Sequence, residues 1–308
     1  MIDHRIKFRH LHTFLEVARQ KSVVKAANIL HVSQPAVTKT IRELEEALGV
    51  AVFERDGRGI RITRYGEVFL RHAGAALTAL RLGIDSVSHE LSDAAPPVRV
   101  GALPTVSTRI MPRAMTLFLQ EKTGSRIKIV TGENAVLLEQ LRVGELDLVV
   151  GRLAAPEKMA GFSFEHLYSE LVVFTVRPGH PLRDSGSAPP AGLADYPVLM
   201  PTHGSVIRPY VDQLLIANGI GKLHSHVETV SHTFGRAFVR SSDAVWIISE
   251  GVVSNDLAEG LLVALPLDTS ETKGPVGLTL KADSVPSAQQ AILMQTIRQA
   301  AEEILPRS

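Results

Sequence analysis

The stretch FLEVARQKSVVKAANILHVSQPAVTKTIRELEEALGVAVFERDGRGIRITRYG, residues 14–66, decides how the chain is read. Leu11, Phe14, Leu15 and Ala18 recur at helical spacing and predict a first helix with one buried stripe. Ser22 stands where an N-cap belongs, ahead of a short second helix through Ala26, Ala27 and Leu30. His31-Val32 breaks that helix, and Ser33 caps a third with Pro35 in its first turn. Val37, Ile41, Leu44 and Leu48 share one face of the third helix, which Gly49 ends. The small pair Ala26-Ala27 lets the second and third helices approach closely, so the pattern is a helix-turn-helix whose third helix enters a major groove.

At 100° per residue, Gln34, Pro35, Thr38, Lys39 and Arg42 form an arc beside the apolar stripe. Gln pairs with adenine at two points, Thr offers a methyl and a hydroxyl, and Lys or Arg reaches guanine or phosphate. Glu43, Glu45 and Glu46 fall in the second half, away from DNA if the first half enters the groove. The bland alternative is a solvated helix in a bundle. Residues 52–55 and 60–63 then alternate as strands around Asp56-Gly57, a hairpin signal, and Arg58 and Arg61 project from this wing toward phosphates or a minor groove.

The whole stretch resembles the N-terminal domain of LysR-type transcriptional regulators. The resemblance places Gln34, Pro35, Thr38 and Lys39 on recognition-helix positions, with Arg58 on the wing; Ser33 and Arg42 flank them. Val23-Val24 departs from the family, which often has Ser-Phe there.

Leu70, Ala73, Leu77, Leu80, Ile84, Val87 and Leu91 step by three and four, a heptad seam of a coiled coil about 40 Å long. The expected partner is the same helix of a second chain, giving a homodimer or homotetramer on an inverted repeat of double-stranded DNA. Burial against the chain's own body is the alternative. Residues 93–97, DAAPP, break the helix as a hinge.

Beyond the hinge, short β-rich runs alternate with helices. Strands are expected at 98–103, 126–130, 146–151, 171–176, 198–200, 224–228, 245–248, 262–265 and 276–281. Helices are expected at 110–121, 134–143, 206–217, 234–240 and 287–304. Such βαβ alternation implies parallel sheets in two lobes, with a ligand cleft between them. LRVGELDLVVG (141–151), VRPGHPL (176–182) and the lobe order resemble the periplasmic-binding-protein-like effector domain of the same family. The expected fold is therefore α/β with an N-terminal all-α winged helix-turn-helix (1–64), a linker helix and hinge (65–95), and an effector domain (96–308). Lobe I covers about 96–168 and 273–308, and lobe II about 169–272.

Hydroxyl clusters precede helices at Thr105, Ser107 and Thr108, at Thr202 and Ser205, and at Ser231 and Thr233. Hydroxyls beside unpaired amides suit a carboxylate or phosphate, although any one of them is more simply a cap. Thr131 joins the candidates, and Arg109, Arg152 or Arg208 can supply countercharge. The run 242–283 is similar to the branch holding the activator of protocatechuate-degradation operons and a regulator of galactose-binding-protein genes. The first implies activation by an acidic ring-cleavage product such as β-carboxy-cis,cis-muconate, with a contact to RNA polymerase; the second implies a sugar or sugar acid.

Composition narrows the remaining classes. Of 308 residues 45% are hydrophobic and 21% charged, as in packed proteins. No apolar run reaches the roughly 18 residues of a membrane span, and no secretory h-region opens the chain, so a cytoplasmic location is expected. With no cysteine, disulfides and thiolate chemistry are excluded. No P-loop, Gly-x-Ser-x-Gly or HExxH is present, and His224, His226 and His232 lack a metal-ligand carboxylate at a known spacing, so neither enzyme, cofactor nor metal site is expected. Residues 1–65 carry twelve Lys/Arg against seven Asp/Glu, while the remainder carries 21 against 25. A basic head on an acidic body agrees with polyanion binding, but also with an ordinary solvated face. A nucleoid-architectural protein would have no use for two α/β lobes.

Overall fold

A computed structural model describes residues 5–57, 59–90, 97–184, 192–220, 223 and 225–304. The chain divides into two units: residues 1–96 with 139–146, and 97–138 with 147–308. Among the described residues no helix is long and apolar enough to cross a membrane.

In the first unit, helices α1 (Phe8–Gln20), α2 (Val23–Leu30) and α3 (Gln34–Leu48) precede a hairpin of β1 (Phe53–Asp56) and β2 (Gly59–Ile62), then helix α4 (Arg64–Glu90). The caps are those the residue types dictate. Ser22 Oγ accepts from Lys25 N at 3.4 Å and Ser33 Oγ accepts from Ala36 N at 3.3 Å. His31 takes the left-handed conformation (φ 54°) that turns the chain between α2 and α3. Phe14, Val17, Ala26, Val37 and Leu44 form the core. Phe14 lies between Phe53 and Phe69 at ring separations of 5.2 and 5.1 Å. Each such pair contributes about 0.5–1.5 kcal/mol beyond the burial itself. Glu45 Oε1 accepts from Val52 N at 2.9 Å and Phe53 N at 3.3 Å, tying α3 to the wing.

The linker helix splits its seam between two tasks. Leu70 and Ala73 are buried in the head's own core, with Leu77 packed against it. Leu80 and Ile84 are 48% and 58% exposed. The dimerisation assignment therefore narrows: Leu70 and Leu77 serve the chain's own head, and only the later positions are open to a partner. The side chain of Val87 and all of Leu91 lie outside the described residues, as do Arg58 and Pro96.

The second unit holds two five-stranded sheets. In lobe I the order is β4 (Ile127–Thr131), β3 (Val98–Ala102), β5 (Leu148–Arg152), β12 (Gly274–Lys281), β6 (Phe162–Glu170). In lobe II it is β11 (Val263–Ala264), β7 (Val172–Val176), β10 (Val245–Ser249), β8 (Val198–Met200), β9 (His226–Glu228). Between them run α5 (Pro104–Arg109), α6 (Met111–Gln120), α7 (Asn134–Arg142), α8 (Pro181–Asp184), α9 (Arg208–Ala217), α10 (His232–Arg240), α11 (Glu250–Ala258) and α12 (Ala288–Glu303).

The expected all-parallel sheets are corrected. β3 pairs parallel with β4 and β5, and β8 with β9 and β10, but β7 and β12 pair antiparallel with their neighbours. Crossover helices create parallel pairs. No crossover helix joins β6 to β7, which are one residue apart, or β11 to β12, whose link carries only the 3-10 turn Ser270–Thr272, so these strands are free to pair antiparallel where the chain changes lobes. These two crossings bring the mouths of the lobes together.

Candidate nucleic-acid interface and ligand cleft

On the head, Gln34, Pro35, Thr38, Lys39 and Arg42 line one concave face, as the helical arc predicts, and Glu43 and Glu46 share it. The three glutamates thus separate: Glu45 braces the wing, whereas Glu43 stays among the cations. Arg9 Nη2 lies 2.9 Å from Glu43 Oε2, His10 Nε2 lies 3.2 Å from it, and Lys39 Nζ stands 4.0 Å from the other oxygen. His10 Nδ1 accepts from Lys7 N at 3.1 Å, which assigns the ring proton to Nε2 and directs it at the carboxylate. The His10 hydrogen bond, followed by Arg9, holds the Glu43 carboxyl below its ordinary pKa. Thr38 Oγ1 donates back to Gln34 O at 3.1 Å, so its methyl and oxygen lone pairs remain for a base edge. Ser33 Oγ accepts the cap hydrogen bond, which leaves its hydroxyl hydrogen free to donate outward. Arg61 pairs with Glu54 at 2.7 Å, both exposed, an ion pair that water weakens and phosphate can replace.

In the second unit, a cleft of roughly 450 Å³ opens where the two lobes meet, within the range of small-molecule sites. Thr105, Ser107, Thr131, Arg152, Thr202, Ser205 and Thr233 all line it. Arg152, at the end of β5, is only 3% exposed. Its Nη2 donates to Thr272 O, and its guanidinium lies over the Tyr210 ring at 5.0 Å. Nη1 has no hydrogen-bond partner among the described residues. Burial draws the pKa of this cation down, the cost of a charge with too few ligands.

Two assignments are corrected. Arg208 is not in the cleft: it lies 2.7 Å from Asp212 and 2.7 Å from Glu228, and it donates to Pro201 O at 2.8 Å. Arg109 stacks on Tyr168 at 5.5 Å and lies 3.7 Å from both Glu170 and Glu250. Both are internal counterions and leave Arg152 as the cleft's buried cation. Thr105 donates its hydroxyl to Glu170, so toward the cleft it offers only oxygen lone pairs. Ser107 donates to Leu103 O at 3.1 Å, and Ser231 caps α10.

Thr108 and His232, from the expected hydroxyl clusters, line the cleft too; Glu133, Thr229, Arg236 and Ser249 line it without having been singled out for it in the sequence. Arg236 pairs with Asp256 at 2.8 Å. Burial, aided by Arg236, lowers the His232 pKa and keeps the ring neutral. The lobes meet closely at Gly251, where a Cβ would overlap Thr105 Oγ1 and come within 2.7 Å of a Glu170 oxygen; Thr108 Oγ1 donates to Gly251 O at 2.6 Å. Glu170 is wholly enclosed, and burial raises its carboxyl pKa against the pull of Thr105, Arg109 and Arg152. Among the described residues no group of three His, Cys, Asp or Glu side chains can hold a metal ion; His224 lies outside them.

Residues 8–67 match the bacterial regulatory helix-turn-helix protein family of lysR type, and residues 92–302 match the LysR substrate binding domain. The chain is 70% identical to the HTH-type transcriptional regulator PcaQ of Agrobacterium fabrum over 99% of this chain and 98% of that one. It is 34% identical to the uncharacterized regulator YdcI of Escherichia coli, over 97% of each. A full-length OxyR variant from Pseudomonas aeruginosa has the same fold, with TM-score 0.58 and 22% identity over 97% of this chain and 95% of that one. A winged head and a two-lobed body, each matched to its own LysR domain, establish that the chain belongs to the LysR family of bacterial transcriptional regulators, DNA-binding and effector-binding proteins and not enzymes.

Proposed function

We propose that the chain activates an aromatic-acid catabolic operon, that of protocatechuate degradation, on binding a small di- or tricarboxylate such as β-carboxy-cis,cis-muconate. The observation that carries this is Arg152, a buried guanidinium with an unpartnered Nη1 on a hydroxyl-lined cleft. A buried cation short of ligands favours an anion over a neutral molecule. Thr131 from lobe I, with Thr202, Ser205 and Thr233 from lobe II, complete the ligand's surroundings, and Thr105 and Ser107 join them when their hydroxyls turn from Glu170 and Leu103 O to the ligand. The 70% likeness to PcaQ supports the same assignment.

The head reads double-stranded DNA at an inverted repeat through Gln34, Pro35, Thr38, Lys39 and Arg42, with Arg58 and Arg61 on phosphates. Two or four chains associate through the later part of α4 around Leu80 and Ile84. A ligand that touches both lobes favours one lobe arrangement, and only that difference in affinity moves the equilibrium. The change passes through the hinge before residue 98 to the spacing of paired heads and to RNA polymerase.

Titration calorimetry on the full chain tests the ligand class. The acid is expected to bind and its trimethyl ester not to bind. Ser107→Ala with Ser205→Ala should remove acid binding while operator binding persists. Equal binding of acid and ester, or of neither, contradicts the proposal.

A further inference from the structure

The hydroxyl loop of lobe II already holds a carboxylate, and the carboxylate is the chain's own. Thr202 Oγ1 donates to Glu133 Oε1 at 2.9 Å across the cleft. A Cβ added at Gly204 would stand 2.9 Å from Glu133 Oε2 and 3.4 Å from its Cδ, so the carboxylate lies directly on the glycine backbone. Glu133 belongs to lobe I, on the turn between β4 and α7. Its carbonyl accepts from Val136 N and Leu137 N, both at 3.1 Å, which fixes the backbone and leaves only the side chain able to swing.

Two carboxylates cannot share one hydroxyl and one stretch of backbone without mutual repulsion. We propose that Glu133 occupies the subsite that a carboxylate of the effector takes, and that the effector displaces it; this rests on the cleft being an anion site. The exchange replaces a hydrogen bond between the lobes by one between lobe II and the ligand. It also selects the ligand: a carboxylate long enough to reach both Arg152 and the Thr202 loop compensates for the displacement. A polyol would instead keep Glu133 in place and donate to it, because an ionised carboxylate only accepts. Removing Glu133 therefore strengthens carboxylate binding and weakens polyol binding.

Two readouts on the full chain separate this inference from the ligand assignment. Glu133→Ala is expected to bind the tricarboxylate about tenfold more tightly than the parent, the effect of deleting one opposing charge. Independently of the effector, the emptied subsite should accept acetate. Sodium acetate should raise a melting transition of Glu133→Ala above its value in sodium chloride of equal ionic strength, and should leave the parent unmoved. No acetate gain in the variant overturns the Glu133 assignment even if the parent binds the tricarboxylate. An acetate gain with no tricarboxylate binding in either protein upholds the subsite and removes the ligand assignment. Should Glu133→Ala fail to fold, Glu133→Gln decides by the same acetate response: it removes the charge while leaving an amide oxygen for Thr202, so a smaller gain is expected and none contradicts.

Discussion

The head and the body use charge in opposite ways. In the head, the ionisable groups that matter lie at the surface: Lys39 is 79% exposed, and Glu43 is shared among Arg9, His10 and Lys39 on the face that carries Gln34. In the body, Arg152 and Glu170 are enclosed, each with a polar atom left over. Surface cations suit a partner that brings its own dense charge and releases counterions. Enclosed charges suit a small ligand that must be recognised group by group, because each unmatched atom is costly away from water. The unit that binds DNA therefore forms its core without its partner, whereas the cleft is electrostatically incomplete without one.

The largest test of that separation is Phe14→Ala. Removing the ring that joins Phe53 and Phe69 should cost the head about 3–5 kcal/mol. Calorimetric melting should show one transition lowered, with operator binding lost and acid binding retained; loss of both functions would mean the units are not independent. Leu80→Asp with Ile84→Asp comes next. Charge placed in an apolar seam should weaken association by about a hundredfold, roughly 3 kcal/mol, and sedimentation should show smaller species. Leu70→Asp should instead unfold the head, since that residue belongs to its core. Unchanged assembly in the double variant would break the assignment of the exposed seam.

Gln34→Ala is expected to lose about 1–3 kcal/mol and to relax preference at one position of each half-site, measured by site selection. Arg61→Ala should weaken all sequences alike and reduce the salt slope by about one. The smallest effects are those of pH, and they have opposite signs in the two units. The Glu43 carboxyl is held low in the folded head, so its stabilisation is present above the ordinary carboxylate range and is lost as pH falls through the lowered value. The Glu170 carboxyl is raised, so the folded body keeps a proton that the unfolded chain releases, and stability falls as pH rises from the ordinary range through the raised value. Melting curves that run from below the ordinary carboxylate range up to neutral pH should show Glu43→Gln flattening the first trend at the acid end and Glu170→Gln the second above it. Shifts of the same sign would sink the contrast.

Legibility in the sequence follows the same division. The head's elements are local: caps at Ser22 and Ser33, one apolar stripe and one hairpin turn each decide a neighbour a few residues away. The body depends on contacts distant in sequence. The sequence pattern does not mark β6: Phe162 to Glu165 alternate, but the rhythm breaks at His166-Leu167, where the pairing with β12 shifts register, and only that pairing makes the nine residues one strand. α11 begins with Glu250-Gly251, and Gly251 serves the close approach to α5 rather than the helix. The Arg208 to Asp212 spacing of four was readable as an ion pair, but Glu228 reaches Arg208 only through the sheet. The heptad rhythm runs unbroken through Leu70 and Leu80 and cannot show that one is buried by its own chain and the other exposed. Glu133 reads as an ordinary acid at a helix start; the opposite lobe alone gives it a role.

An anion in the cleft is expected to change how the heads hold DNA. Footprinting of the full chain on its selected inverted repeat, with β-carboxy-cis,cis-muconate or its trimethyl ester, reads that change. The acid should alter the protected pattern, the ester should not, and Ser107→Ala with Ser205→Ala should retain the unliganded footprint and lose the response. A footprint indifferent to the acid, or equally altered by the ester, would contradict the account.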